Sequence, residues 1–147
     1  MRSCASYPKR IICRTDETTE VLYHWGCEDR IVGISGFTTR PVRARKEKPK
    51  VSLFTESRID DIEALEPDLV LAFSDIQASI AEEFIRRGYT VYCFNQRSIS
   101  EILGAILQIG ALVGEQLAAE SYVASLEKRL EQVKQTTDQF SAKPKVY

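Results

Sequence analysis

Residues 59–73 read Ile-Asp-Asp-Ile-Glu-Ala-Leu-Glu-Pro-Asp-Leu-Val-Leu-Ala-Phe, and no other stretch narrows the fold as far. Ile59, Ile62 and Leu65 recur at helical spacing. Pro67 ends that helix, because its ring clashes with the preceding turn and it has no N–H to donate. The five residues Leu69–Phe73 are all apolar. A short apolar run without alternation, set between breakers, is a strand buried on both faces. Such a strand belongs inside a parallel sheet covered by helices, and the sequence places it at the sheet's centre.

The rest of the chain alternates in the same way. Arg10–Arg14 is a first strand. Thr15 or Asp16 then caps a helix, with Glu17 in the first turn, where a carboxylate suits the positive dipole end. Val21, Leu22 and Trp25 form its apolar face and Gly26 stops it. Arg30–Ile34 is a second strand, followed by a long polar loop over Ser35–Val51. After Phe73, Ser74 or Asp75 caps a helix with Ile76, Ile80, Phe84 and Ile85 inward, closed by Gly88. Thr90–Phe94 is β-branched and aromatic, as a strand should be.

Ser98 and Glu101 form a capping box. The helix they open carries Ile99, Ile102, Leu103, Ile106, Leu107, Ile109 and Val113 nearly all round, which predicts burial. Gly104 and Gly110 allow close helix packing, and Gly114 ends the element. From Glu115 to about Gln139 there is no breaker. Val123, Leu126, Leu130 and Val133 step by three and four there, a single amphipathic helix of roughly 36 Å. That exceeds what a crossover needs. Lys143-Pro144-Lys145 breaks it, and Val146-Tyr147 reads as the opening of another strand.

Helices alternating with strands specify an α/β fold: a three-layer, open, mostly parallel, Rossmann-like sheet with right-handed crossovers. The expected organisation is an N-terminal lobe over 8–114, a long linker helix over 115–140, and the start of a second lobe at 143–147, the lobe itself lying outside this sequence. A chain of 147 residues buries enough surface to fold without staples. Its net charge of −1 gives no overall attraction to nucleic acid or to an anionic membrane. No apolar run approaches 18 residues, so no transmembrane helix is expected. Residues 1–8 lack the apolar stretch of a secretory signal, which points either to residence inside the cell or to a signal already removed.

Cys13 and Cys93 fall within strands and read as small core residues. His24 and Cys27 have zinc-like spacing but no second pair, and His24 reads as a partly covered surface residue. Arg40, Arg43, Arg45, Lys46, Lys48 and Lys50 crowd one loop around Glu47. Locally this resembles a nucleic-acid patch, although an ordinary solvated loop has the same composition.

In an open parallel sheet, ligands bind beyond the carboxyl ends of the strands. That rule selects Thr15, Asp16, Glu17 and Thr18; Ser35, Gly36, Phe37 and Thr38; Ser74 and Asp75; and Asn95, Gln96 and Arg97. Caps and turns require the same residue types. Asp16, Glu17 and Asp75 could act as paired carboxylates, but capping explains them more simply. The glycine-rich phosphate loops and the nucleophile elbow are absent, so no enzyme is expected.

The ordered pieces Arg10-Ile11-Ile12, Glu17–Tyr23, Asp29–Ser35, Lys48–Ser52, Ile62–Leu71 and Arg97–Ile102 resemble the N-terminal lobe of the ABC-transporter substrate-binding proteins for vitamin B12, ferric siderophores and haem, and most closely the cobalamin-binding members. The resemblance implies two α/β lobes joined by one long helix, with a cobalamin or ferric chelate carried between them as cargo and no covalent cofactor. It implies a permease partner and a periplasmic location. It places Phe37 and Phe54 at aromatic contacts to a corrinoid, and Arg40 where many members carry another residue. Asp60 falls at a glutamate that docks on the permease, one methylene shorter. The face turned toward the second lobe is a candidate for self-association. The competing reading is an intracellular protein that handles corrinoids or metal chelates.

Overall fold

The computed structural model describes residues 6–52, 59–74 and 77–140. Five strands alternate with helices: β1 (Ile11–Cys13), α1 (Asp16–His24), a 3₁₀ turn at Glu28–Arg30, β2 (Ile31–Ser35), α2 (Ala44–Glu47), β3 (Lys50–Ser52), α3 (Ile59–Glu63), β4 (Leu69–Phe73), α4 (Ala78–Arg86), β5 (Val91–Phe94), α5 (Ile99–Val113) and α6 (Gln116–Asp138). The strands form one sheet in the order β3-β2-β1-β4-β5. Every pairing is parallel.

Two details of the strand arrangement depart from the sequence reading. The central strand is β1, and the apolar run β4 lies beside it. Burial on both faces requires an interior strand, and both qualify: Ile11, Ile12 and Cys13 are wholly buried too. The polar loop after β2 contains a strand, β3, and a short helix, α2. β3 is a three-residue edge strand with Val51 as its one apolar residue. It is held by backbone pairing to β2, Ser35 opposite Ser52, and its composition gives no signal.

Two cores cover the sheet. Ile11, Cys13, Ile34, Leu69, Leu71 and Phe94 face α1, α5 and α6 through Val21, Leu22, Ile106, Ile109, Val113 and Val123. Ile12, Val51 and Val70 face Ile62 of α3 and Phe84 of α4. α4 buries Phe84 but exposes Ile85, which points a further 100° around the helix. α5 is not enclosed all round. One flank meets the sheet and another meets α6, while Ile99, Ile102 and Leu107 remain exposed. Cys93 is also exposed, because β5 is an edge strand. No helix of the described residues is long and apolar enough to cross a membrane.

The α5–α6 contact is unusually close. A Cβ on Gly110 would overlap the Cβ of Ala119 and come within 3.1 Å of the Glu115 carbonyl oxygen. Gly104 meets nothing within 4 Å. Gly114 turns the chain with φ +80. Arg30 then fastens the corner, donating to the Val113 carbonyl at 2.6 Å and pairing with Glu115 at 3.2 Å. A cation there satisfies a terminal helix carbonyl.

Candidate functional site

The strand order reverses between β1 and β4, since β1 leads on to β2 at one side and β4 to β5 at the other. A crevice opens at such a reversal, beyond the carboxyl ends of the strands. The buried polar residues of the described chain gather there: Arg14, Thr15, Thr18 and Thr19 after β1, Ser35 and Thr38 at the end of β2, Ser74 and Gln77 after β4.

The β1 end is tightly wired. Thr18 and Thr19 hydroxyls donate to the Thr15 carbonyl at 3.2 and 3.1 Å. The Thr15 and Thr18 hydroxyls also bond each other at 3.2 Å. Thr15 occupies the N-cap position in extended conformation, but its side chain does not cap the helix. Asp16 instead reaches across to the loop after β2. It accepts the Thr39 N–H at 2.9 Å, the Thr39 hydroxyl and the Arg40 N–H at 3.1 Å. Its carboxylate therefore positions that loop. Glu17 is exposed on the rim.

Within the loop, Ser35 Oγ accepts the Phe37 N–H at 3.2 Å, and Arg45 donates to the Gly36 and Thr38 carbonyls. Thr38 is buried, with its hydroxyl oxygen unpartnered. Phe37 stands out at 61% exposure. Arg40 pairs with Glu20 at 3.4 Å, and Arg43 stacks on Tyr23 and bonds Glu28 at 2.8 Å. The arginines that crowd this part of the sequence are thus engaged within the fold.

At the β4 and β5 ends, Ser74 adopts φ 64 and donates its N–H to the Phe94 carbonyl at 2.6 Å. Arg97 lies 5.7 Å over the Phe73 ring and bonds Asn95 Oδ1 at 2.8 Å. The capping box forms in a modified way. The Glu101 N–H donates to Ser98 Oγ, while the Glu101 carboxylate takes the Arg97 N–H at 2.7 Å. That donor, then the Ser98 hydroxyl, holds the Glu101 pKa below its ordinary value.

The rim thus joins Asp16, Glu17, Thr18, Phe37, Thr38 and Arg40 on one side of the reversal with Ser74, Asn95, Gln96 and Arg97 on the other. Phe54 and Asp75 lie outside the described residues. Asp60 belongs to a different network. Its carboxylate, 96% exposed, pairs with Arg87 at 3.6 Å, and Arg87 also bonds Glu63 and Glu83.

Three crevice residues, Arg14, Thr19 and Gln77, were not selected from the sequence. Arg14 is completely buried, with its guanidinium 5.9 Å over the Phe84 ring. Burial pushes its pKa down to about 10, still charged at neutral pH. Gln77 is completely buried, accepting the Phe73 N–H at 3.2 Å while its Nε2 has no partner. A charge closing an apolar strand, Arg14 after Ile-Ile-Cys, was the available signal for the first. Gln77 gave none.

The family model described as "Periplasmic binding protein" matches residues 11–147. The chain belongs to this family. A cobalamin-binding protein of Halobacterium salinarum is 26% identical over 97% of this chain and 39% of its own length. A vitamin B12-binding protein of Vibrio campbellii is 30% identical over 81% of this chain and 45% of its own. Among solved structures, a Staphylococcus epidermidis protein described as a possible iron-binding (periplasmic solute-binding) protein superposes with a TM-score of 0.84 at 22% identity, covering 94% of this chain and 55% of that one. The chain spans about two fifths of the length of those sequence relatives. The superposition establishes the fold as that of a periplasmic binding-protein lobe, and these family relatives carry the names of binding proteins rather than enzymes.

Proposed function

We propose that this chain is one ligand-binding lobe of a substrate-binding protein that carries a corrinoid, or else an iron chelate, to an ABC permease, without chemistry of its own. The observation that carries the reading is the exposed Phe37 on a loop fastened by Asp16 and Arg45, at the carboxyl end of β2, the strand next to β1 at the reversal. A flat macrocycle edge gains from an aromatic surface whose backbone is held in place, because little ordering cost remains to be met on binding. The names of the two sequence relatives favour cobalamin as the cargo. α6 is the connection to a second lobe in this reading, and Asp60 is the permease contact, to be released from Arg87 on docking.

Equilibrium dialysis against cobalamin, haem and a ferric siderophore tests it. Saturable uptake of cobalamin is expected, weakened at least several-fold by Phe37→Ala. The variant should keep its stability within about 0.5 kcal/mol, because the side chain is exposed. No saturable uptake of any of the three, by this chain or by one extended through a second lobe, would refute the proposal.

A further inference from the structure

A cavity of about 180 Å³ lies between α1 and α5 at the strand ends, its lining including Glu17, Val21, Phe73, Gln96, Ile102 and Ile106. It is too small for a macrocycle, since sites for drug-sized ligands run to roughly 300–1,000 Å³. It suits one ring, because a cavity of about 150 Å³ lined by aliphatic and aromatic side chains holds benzene. Its inner walls are apolar and its polar groups belong to α1 and to the strand ends.

The polar groups are mostly acceptors. Thr18 spends its hydroxyl proton on the Thr15 carbonyl, which leaves Thr15 to donate to Thr18. Gln96 Oε1 is buried without a partner. Of the charges around the strand ends, Arg40 is paired with Glu20, Asp16 accepts neutral N–H and O–H donors of Thr39 and the Arg40 N–H, and the Glu101 carboxylate accepts the Arg97 N–H. Glu17 alone among these carboxylates makes no hydrogen bond or ion pair with the described residues. Phe73, Phe94 and Tyr122 contribute aromatic wall for an apolar ring, and the Phe73 face already carries the Arg97 guanidinium at 5.7 Å.

We propose that this cavity binds a small group with a benzene-sized apolar body and an ammonium head, the ring between α1 and α5 and the cation on Glu17. Glu17, Thr18 and Gln96 also belong to the rim described above, but the proposal rests on the cavity and not on the cargo reading: a chain that takes up no chelate would keep this site.

The test is ¹H–¹⁵N NMR titration with 2-phenylethylammonium, its amide analogue 3-phenylpropanamide and its anionic analogue 3-phenylpropanoate. Saturable shifts are expected at the amides of Glu17, Val21 and Ile106, strongest for the ammonium and weakest for the carboxylate. Glu17→Gln should weaken the ammonium about two- to fivefold, as for an exposed charge pair, and leave the amide unchanged. Ile102→Trp, at an exposed wall position, should block all three. Both changes fall on exposed residues, so the fold is retained. Unsaturable shifts, equal affinities for ammonium and carboxylate, or unchanged binding in Ile102→Trp would each overturn the assignment.

Discussion

Alanine at Gly104 and alanine at Gly110 should move stability in opposite directions, although both are glycines of α5. Glycine inside a helix costs about 1 kcal/mol relative to alanine. At Gly104 nothing lies within 4 Å of the added Cβ, so that gain is realised. At Gly110 the new Cβ would overlap that of Ala119, a wholly buried residue of α6, and press on the Glu115 carbonyl. A Cβ cannot rotate away, so the two helices must separate. Overpacking of this kind costs about 1–3 kcal/mol, and the upper part of that range is expected here. Subtracting the propensity gain leaves a loss of about 1–2 kcal/mol. Thermal unfolding followed by circular dichroism should show Gly104→Ala raised by roughly 2–4 °C and Gly110→Ala lowered by roughly 3–8 °C. Adding Ala119→Gly to Gly110→Ala should recover more than the two single changes predict by simple addition. If both alanines shift the midpoint the same way by similar amounts, the packing argument is wrong.

Three further outcomes are expected. Glu101 has a depressed pKa in the fold, so its contribution is present above the unfolded carboxylate range near pH 4.3 and is lost as pH falls through the folded value. The stability difference between wild type and Glu101→Gln should therefore shrink on acidification, and a constant difference would contradict the linkage. Alkylation at pH 8 with peptide mapping should label exposed Cys93 well before Cys13, whose pKa burial pushes up to about 12; equal labelling of the two in folded protein would argue against this arrangement. Asp16→Ala removes three hydrogen bonds to the loop after β2. A loss of about 1–2 kcal/mol and faster amide exchange at Thr39 and Arg40 should follow, and unchanged exchange there would show that the carboxylate does not hold the loop.

The sequence by itself determined the alternation of elements, four of the five strands, the capping box at Ser98 and the extent of α6. Each is written in local spacing: the run Leu69–Phe73, the breakers Pro67, Gly88 and Gly114, and apolar steps of three and four. It also pointed to the rim, because polar residues that follow apolar strands must lie at the carboxyl edge of a parallel sheet. Tertiary structure decided the rest. Strand order put β1 rather than β4 at the centre, and the edge position of β5 left Cys93 exposed. β3 exists because β2 offers it a backbone partner. The Asp16 contact to Thr39 spans 23 residues and follows from where α1 and the β2 loop come to lie. The same assembly separated Gly110, pressed against Ala119, from Gly104, which faces open space. Local patterns encode which side chains avoid water. Which of them meet, and which polar groups are left along the carboxyl edge of the sheet, is settled only when distant elements pack.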